Sequence, residues 1–188
     1  MQFRRMLYVE AGLRGVTQLD NMLYVVTDWS SIIRTFSVDT LSSLGDIHVQ
    51  GMKYPSDIVV CRHDRQLYVA DYNCIWRVSA DDHKKYKKWL PSRYTSWLPT
   101  MLTGRFRVDT LSVTSRGLLV TSRDPPGLRE YSMTDRQLLR VVKLPGYVQH
   151  LNHGVETTRG TFVICHDGTS QNERQHAVSC HHINVLLH

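Results

Sequence analysis

The sequence predicts an all-β protein, a β-propeller built of about four four-stranded antiparallel blades. Three observations carry that prediction. An apolar strand recurs as Leu23-Tyr24-Val25-Val26-Thr27-Asp28, Leu67-Tyr68-Val69-Ala70-Asp71, Leu118-Leu119-Val120-Thr121-Ser122 and Phe162-Val163-Ile164-Cys165-His166, at spacings of 44, 51 and 44 residues. The runs around it show two-residue patterning and many β-branched or aromatic residues, which suit a pleated, half-buried surface. No segment carries a capped helical period. Four strands in about 40–50 residues is the size of a propeller blade, and 188 residues hold about four such units.

Within each unit the strands follow in order. The first is Val16-Thr17-Gln18-Leu19, Ile58-Val59-Val60-Cys61, Leu111-Ser112-Val113 or Val155-Glu156-Thr157. These turn through Asp20-Asn21, His63-Asp64-Arg65-Gln66, Ser115-Arg116-Gly117 and Arg159-Gly160 into the recurring second strand. Only the second of these turns lacks the Gly or Asn that makes positive φ easy. Third strands share an aliphatic residue, two others, an apolar residue and Ser: Ile33 to Ser37, Ile75 to Ser79 and Leu128 to Ser132, with Val178-Ser179 fitting the end of a fourth copy. Asp39, Asp81 and Asp135 then start turns by bonding backbone two residues on. Leu44 to Val49, Tyr86 to Leu90 and Leu138 to Leu144 complete the units. The expected blades are 10–52, 53–104, 105–146 and 147–188, in a single domain.

The stretch Leu67-Tyr68-Val69-Ala70-Asp71-Tyr72-Asn73-Cys74-Ile75-Trp76-Arg77-Val78 resembles the core of an NHL repeat, found in six-bladed TolB-like propellers. Leu23 to Phe36 is a looser match, with Asp28-Trp29-Ser30-Ser31 at the polar turn. The third and fourth units keep the spacing and lose the Asp. Six blades need about 260 residues at this repeat length, so the resemblance implies a partial or truncated member. The C-terminus supports that expectation, because Cys180-His181-His182-Ile183 stands where an Asp-containing turn belongs after Ser179. In a closed form, Phe3 to Val9 would add a strand to the last blade.

Composition narrows the class further. At 41% hydrophobic the chain is not disordered, and four cysteines are too few for a disulfide-stapled mini-protein. The N-terminus lacks a signal peptide's apolar core, and no apolar run reaches the roughly 18 residues of a spanning helix. These readings predict a cytoplasmic protein. The net charge of +6 is concentrated: residues 81–140 hold twelve basic and six acidic residues, whereas the flanking segments balance. Between 84 and 107 there is no acid at all, and Tyr86, Trp89, Tyr94 and Trp97 are interleaved. Lys84, Lys85, Lys87, Lys88, Trp89, Arg93, Arg105 and Arg107 are therefore the candidate site for RNA or another anionic partner, since cations neutralise phosphates and aromatic faces stack on bases. The competing reading is an ordinary outer strand, with its aromatics inward and its lysines solvated.

Other chemistry finds little support. The cysteines make no C-x-x-C pair, and Cys61 and Cys165 read as small buried hydrophobes. Cys165-His166-Asp167 and Cys180-His181-His182 are soft-ligand clusters without a spacing that demands a metal. His150-x-x-His153 lies before a strand, not on a helix. Glu10, Asp57, Asp109, Asn152 and Glu156 are the loop-side oxygens for a calcium-dependent propeller hydrolase, but a hard cation wants six to eight such ligands. No nucleophile elbow, phosphate loop or dinucleotide fingerprint occurs. No catalytic residue, metal or cofactor is assigned. The expected function is a non-catalytic propeller scaffold that binds an unidentified protein partner through loops on one face. RNA binding through residues 84–107 is the alternative.

Overall fold

A computed structural model describes residues 12–72, 74–90, 107–123, 126–148, 150–167 and 178–183, together with Met6 and Val9. The described residues form fifteen strands and no helix. The chain divides into two compact units, Met1–Lys88 and Trp89–His188.

The first unit contains two antiparallel sheets in simple up-and-down order. One comprises β1 (Leu13–Leu19), β2 (Met22–Thr27), β3 (Ile32–Ser37) and β4 (Ser43–His48). The other comprises β5 (Pro55–Cys61), β6 (Gln66–Asp71), β7 (Cys74–Ser79) and β8 (Tyr86–Leu90), with the unit boundary falling inside β8. The recurring second strands are central, so both of their faces are covered. Tyr24, Val25 and Val26 in β2 and Leu67 through Ala70 in β6 are all buried. That explains why they read as continuous apolar runs rather than alternating ones. Outer β4 exposes every residue but Ile47. The apolar core joins Tyr24, Val26, Ile33 and Ile47 to Ile58, Leu67, Val69 and Trp76 across both sheets. Innermost strands β1 and β5 approach so closely that a Cβ on Gly15 would meet the Ile58 nitrogen at 2.8 Å.

The hairpin turns follow from register. Leu19 pairs with Met22, leaving Asp20-Asn21 as a two-residue turn with Asp20 at φ 52°. In the second sheet Cys61 pairs with Gln66, and Arg65 takes φ 51° where glycine would be expected. Its guanidinium bonds Asp81 at 2.7 Å and Asp20 at 2.8 Å, which holds this left-handed residue in place and links the two sheets.

The second unit repeats the plan. Strands β9 (Thr110–Val113), β10 (Leu118–Arg123), β11 (Pro126–Tyr131) and β12 (Leu138–Val142) form one sheet. Strands β13 (His150–Glu156), β14 (Phe162–Asp167) and β15 (Val178–Ile183) form a sheet of three among the described residues. Leu119, Leu128, Val142, Val148, Leu151, Phe162 and Ile164 make its core. Here hydroxyls tie the inner strands: Ser112 donates to the Gly154 carbonyl at 2.9 Å and Thr110 to the Asn152 carbonyl at 3.2 Å.

Two expectations need correction. Val178-Ser179 begins β15 rather than ending it, because Val178 pairs with Asp167 and Ile183 with Phe162. Cys180, His181 and His182 therefore belong to a strand, and no missing turn marks that point. His150 and His153 likewise lie within β13, which starts earlier than its apolar run suggested. The expected strand Phe3 to Val9 falls almost wholly outside the described residues.

Candidate functional site

The first unit presents a cluster of three exposed aromatic rings on loops. Trp29 lies between β2 and β3, Tyr54 between β4 and β5, and Tyr72 between β6 and β7. The Trp29 and Tyr54 rings meet edge to face with centroids 4.8 Å apart, and Tyr54 and Tyr72 follow at 6.3 Å. Trp29 is 78% exposed and the two tyrosines are nearly half exposed. Trp29 and Tyr72 both take left-handed backbone, at φ 57° and 39°. A bulky residue pays about 1–2 kcal/mol for that conformation, and residues so held concentrate at functional sites. Each directly follows an aspartate at the end of a second strand, Asp28 or Asp71.

Those aspartates build the loops. Asp71 is buried, and its carboxylate accepts from the Tyr54 amide at 2.7 Å, the Lys53 amide at 3.3 Å and the Trp76 indole at 2.8 Å. It thus fixes the backbone that carries Tyr54 and caps the hairpin that carries Tyr72. Asp28 takes an ion pair from Arg14, and its amide donates to the Gly12 carbonyl at 2.9 Å. Beside Asp71, burial and the neighbouring carboxylate push the Cys74 thiol up to about 12. Burial also raises Cys61. Both thiols are therefore protonated and unreactive at neutral pH.

The basic segment is distributed differently from its sequence order. Lys84, Lys85, Lys87 and Lys88 are exposed. Lys85 pairs with Asp82 at 3.2 Å, and the Lys88 ammonium sits 5.3 Å from the centre of the Trp76 ring. Lys84, Lys85 and Lys87 line a cleft of about 410 Å³ with Gln66, Arg77, Ser79 and Tyr86. Trp89 is 1% exposed, so its ring presents no face for stacking on a base. Arg107 pairs with Asp109 at 3.1 Å. Arg93 and Arg105 lie outside the described residues.

The second unit holds a polar cluster that sequence reading missed. Glu130 has no exposed surface, and Arg140 bonds it at 2.6 Å while also pairing with Glu156. Glu130 and Arg140 face each other across β11 and β12, so strand register alone brings them together. The Arg140 guanidinium also stacks 4.6 Å from the Phe162 ring centre. The cluster is a satisfied buried charge network joining two sheets.

The remaining candidates are structural in their contacts. Asp109 accepts from the Arg123 amide at 2.7 Å as well as pairing with Arg107, and Glu156 is engaged by Arg140. Among the described residues no three His, Cys, Asp or Glu side chains gather as a metal site would require. Cys61, Cys74 and Cys165 form no disulfide, and Cys165 is only half-buried, unlike Cys61. The two soft-ligand clusters lie on adjacent strands, with Cys165 opposite Cys180.

The fold and these loops define an all-β repeat of blade-like antiparallel sheets. No family model matches the chain, and no curated protein matches its sequence. Solved structures do resemble it in fold. A chain of the hydrazine synthase of Kuenenia stuttgartiensis superposes with a TM-score of 0.65 at 13% identity, over 91% of this chain and 46% of its own. The computationally designed protein Ika4 gives 0.60 at 8% identity, covering 97% of this chain and 100% of its own. A chain of the nidogen/laminin complex gives 0.60 at 16% identity, over 84% and 57%. The chain thus spans about half the length of the hydrazine synthase chain it matches. At such identities the likeness is one of fold, which hosts many functions.

Proposed function

We propose that this chain is a non-catalytic β-propeller scaffold, NHL-like in its repeats, that binds a protein partner through loops on one face. The observation that carries the reading is the Trp29–Tyr54–Tyr72 cluster: three touching, exposed aromatic rings on three separate loops. Aromatic anchors dominate binding energy at protein interfaces. A stiff sheet scaffold that fixes them beforehand reduces the ordering lost on association. The blade-length repeat and the NHL-like run Leu67 to Val78 support the propeller assignment. The nidogen/laminin match is itself a chain from a protein–protein complex, which fits a binding role.

The test is quantitative proximity labelling by the full chain, compared with a Trp29→Ala/Tyr54→Ala variant and a Lys87→Glu control. A partner lost with the aromatic variant and retained with the control is expected. If no partner depends on the two rings, the reading fails.

A second reading, RNA binding, rests on the exposed lysines lining the cleft beside Tyr86. Glutamate at Lys84, Lys85, Lys87 and Lys88 would then abolish binding to single-stranded RNA and flatten its salt dependence. Unchanged affinity removes this reading.

A further inference from the structure

The second unit repeats one turn sequence on two loops. Thr114-Ser115-Arg116-Gly117 joins β9 to β10, and Thr157-Thr158-Arg159-Gly160 joins β13 to β14, 43 residues later. Both are organised by their leading threonine. The Thr114 hydroxyl accepts from the Arg116 amide at 3.2 Å and the Gly117 amide at 2.9 Å. The Thr157 hydroxyl accepts from the Arg159 amide at 3.3 Å, and the Gly160 amide donates to the Thr157 carbonyl at 3.0 Å. Residues of both turns, Arg116 and Arg159 among them, line one cleft of about 540 Å³ together with Arg140 and Glu156. That volume lies in the usual range for small-ligand sites, about 300–1,000 Å³.

Charge is unevenly satisfied there. Arg140 is committed to Glu130 through Nε and to Glu156 through Nη2. Arg116 reaches Glu130 only at 3.4 Å, and Arg159 makes no ion pair among the described residues. Two guanidinium groups, one from each turn, therefore retain donors. Ser115 and Thr158 line the same space, the Ser115 hydroxyl lying 3.4 Å from Glu156, and a Cβ on Gly160 would meet nothing within 4 Å, which leaves the backbone open to approach.

We infer that the paired Thr-Ser/Thr-Arg-Gly turns bind a phosphate dianion between Arg116 and Arg159. A planar carboxylate satisfies one guanidinium fork. A phosphate group carries a charge of about −1.5 to −2 and three acceptor oxygens directed apart, which suits donors supplied by two separate turns. An extended polyanion fits less well, because Glu156 lies in the lining and no lysine does. The phosphate is either free or carried on a phosphorylated side chain.

The experiment is an amide and guanidinium NMR titration of the full chain at constant ionic strength. The probes are inorganic phosphate, a blocked Ala-phosphothreonine-Ala peptide, the unphosphorylated peptide and sodium chloride. Saturable shifts at Gly117, Gly160 and the Arg116 and Arg159 Nε groups are expected with the first two probes only. Tighter binding of the phosphopeptide identifies a phosphorylated side chain as the source, and equal binding identifies free phosphate. Arg159→Gln, at an exposed side chain, should weaken binding about tenfold, the loss expected for one charge-assisted bond. Arg116→Gln/Arg159→Gln should remove it. Shifts no greater than those from chloride, or unaltered binding by the Arg159→Gln variant, overturn the inference.

Discussion

The backbone amide of Tyr54 donates to the buried carboxylate of Asp71 at 2.7 Å. Through this bond the aspartate of the repeat motif, at the end of β6, positions a ring on a loop seventeen residues earlier. The same carboxylate receives the Trp76 indole, so it joins the hairpin end to the core.

Asp71→Ala leaves the indole and the Tyr54 amide without their acceptor. Each unsatisfied buried group costs about 1–3 kcal/mol, so a loss of about 2–6 kcal/mol is expected. Asp71→Asn keeps one acceptor oxygen and should lose roughly half as much. Urea denaturation of the full chain, followed by tryptophan fluorescence, measures both.

Trp29→Gly separates stability from binding. Relief of the left-handed backbone is worth about 1–2 kcal/mol, while the lost edge-to-face contact with Tyr54 costs about 0.5–1.5 kcal/mol. Stability should therefore stay within about 1 kcal/mol of the parent while partner binding falls at least tenfold. A large drop in the unfolding midpoint would show that the ring serves the fold.

Glu130→Ala removes one of the two carboxylates that the buried Arg140 guanidinium bonds and should cost about 3–5 kcal/mol. Adding Arg140→Leu removes the under-paired guanidinium and should recover part of that loss, less the ion pair that Glu156 forfeits. Two single losses that simply add would contradict the coupling.

His153 titrates below its ordinary range because burial disfavours its charged form. Its contribution to stability is therefore complete above the unfolded value of about 6.5. As pH falls through that value the unfolded chain takes up the proton first, and the stability is lost. Denaturation midpoints measured between about pH 8 and pH 5 should fall less steeply for His153→Gln than for the parent.

The second strands were legible in the sequence because a central strand covered on both faces is apolar throughout, as β2 and β6 are. The alternating third strands were equally clear. Strand β15 was misplaced because Val178-Ser179 is a match too short to set register, and a shift of register changes which residues the strand contains. Arg65 turns without glycine since two carboxylates hold it, a tertiary arrangement that turn propensities do not contain. Glu130 and Arg140 are ten residues apart, and their pairing emerges only once β11 and β12 are aligned. Trp29 and Tyr72 stood in segments read as polar turns. The repeated Asp-aromatic pair was the available signal. Trp89, by contrast, fits the inward side of an outer strand, the competing reading of the basic segment.

Arg140 belongs to the outer strand of one sheet and grips Glu156 on the inner strand of the next. A blade that opens alone must abandon that grip and strand charges away from water. The two sheets of the second unit are thereby bound to exchange their protected amides as one cooperative foldon, at a single opening free energy. In the first unit the corresponding link, Arg65 to Asp20, is solvated, and its rupture strands nothing. There the shared apolar core couples the two sheets, so salt should leave the protection of the first unit's amides unchanged.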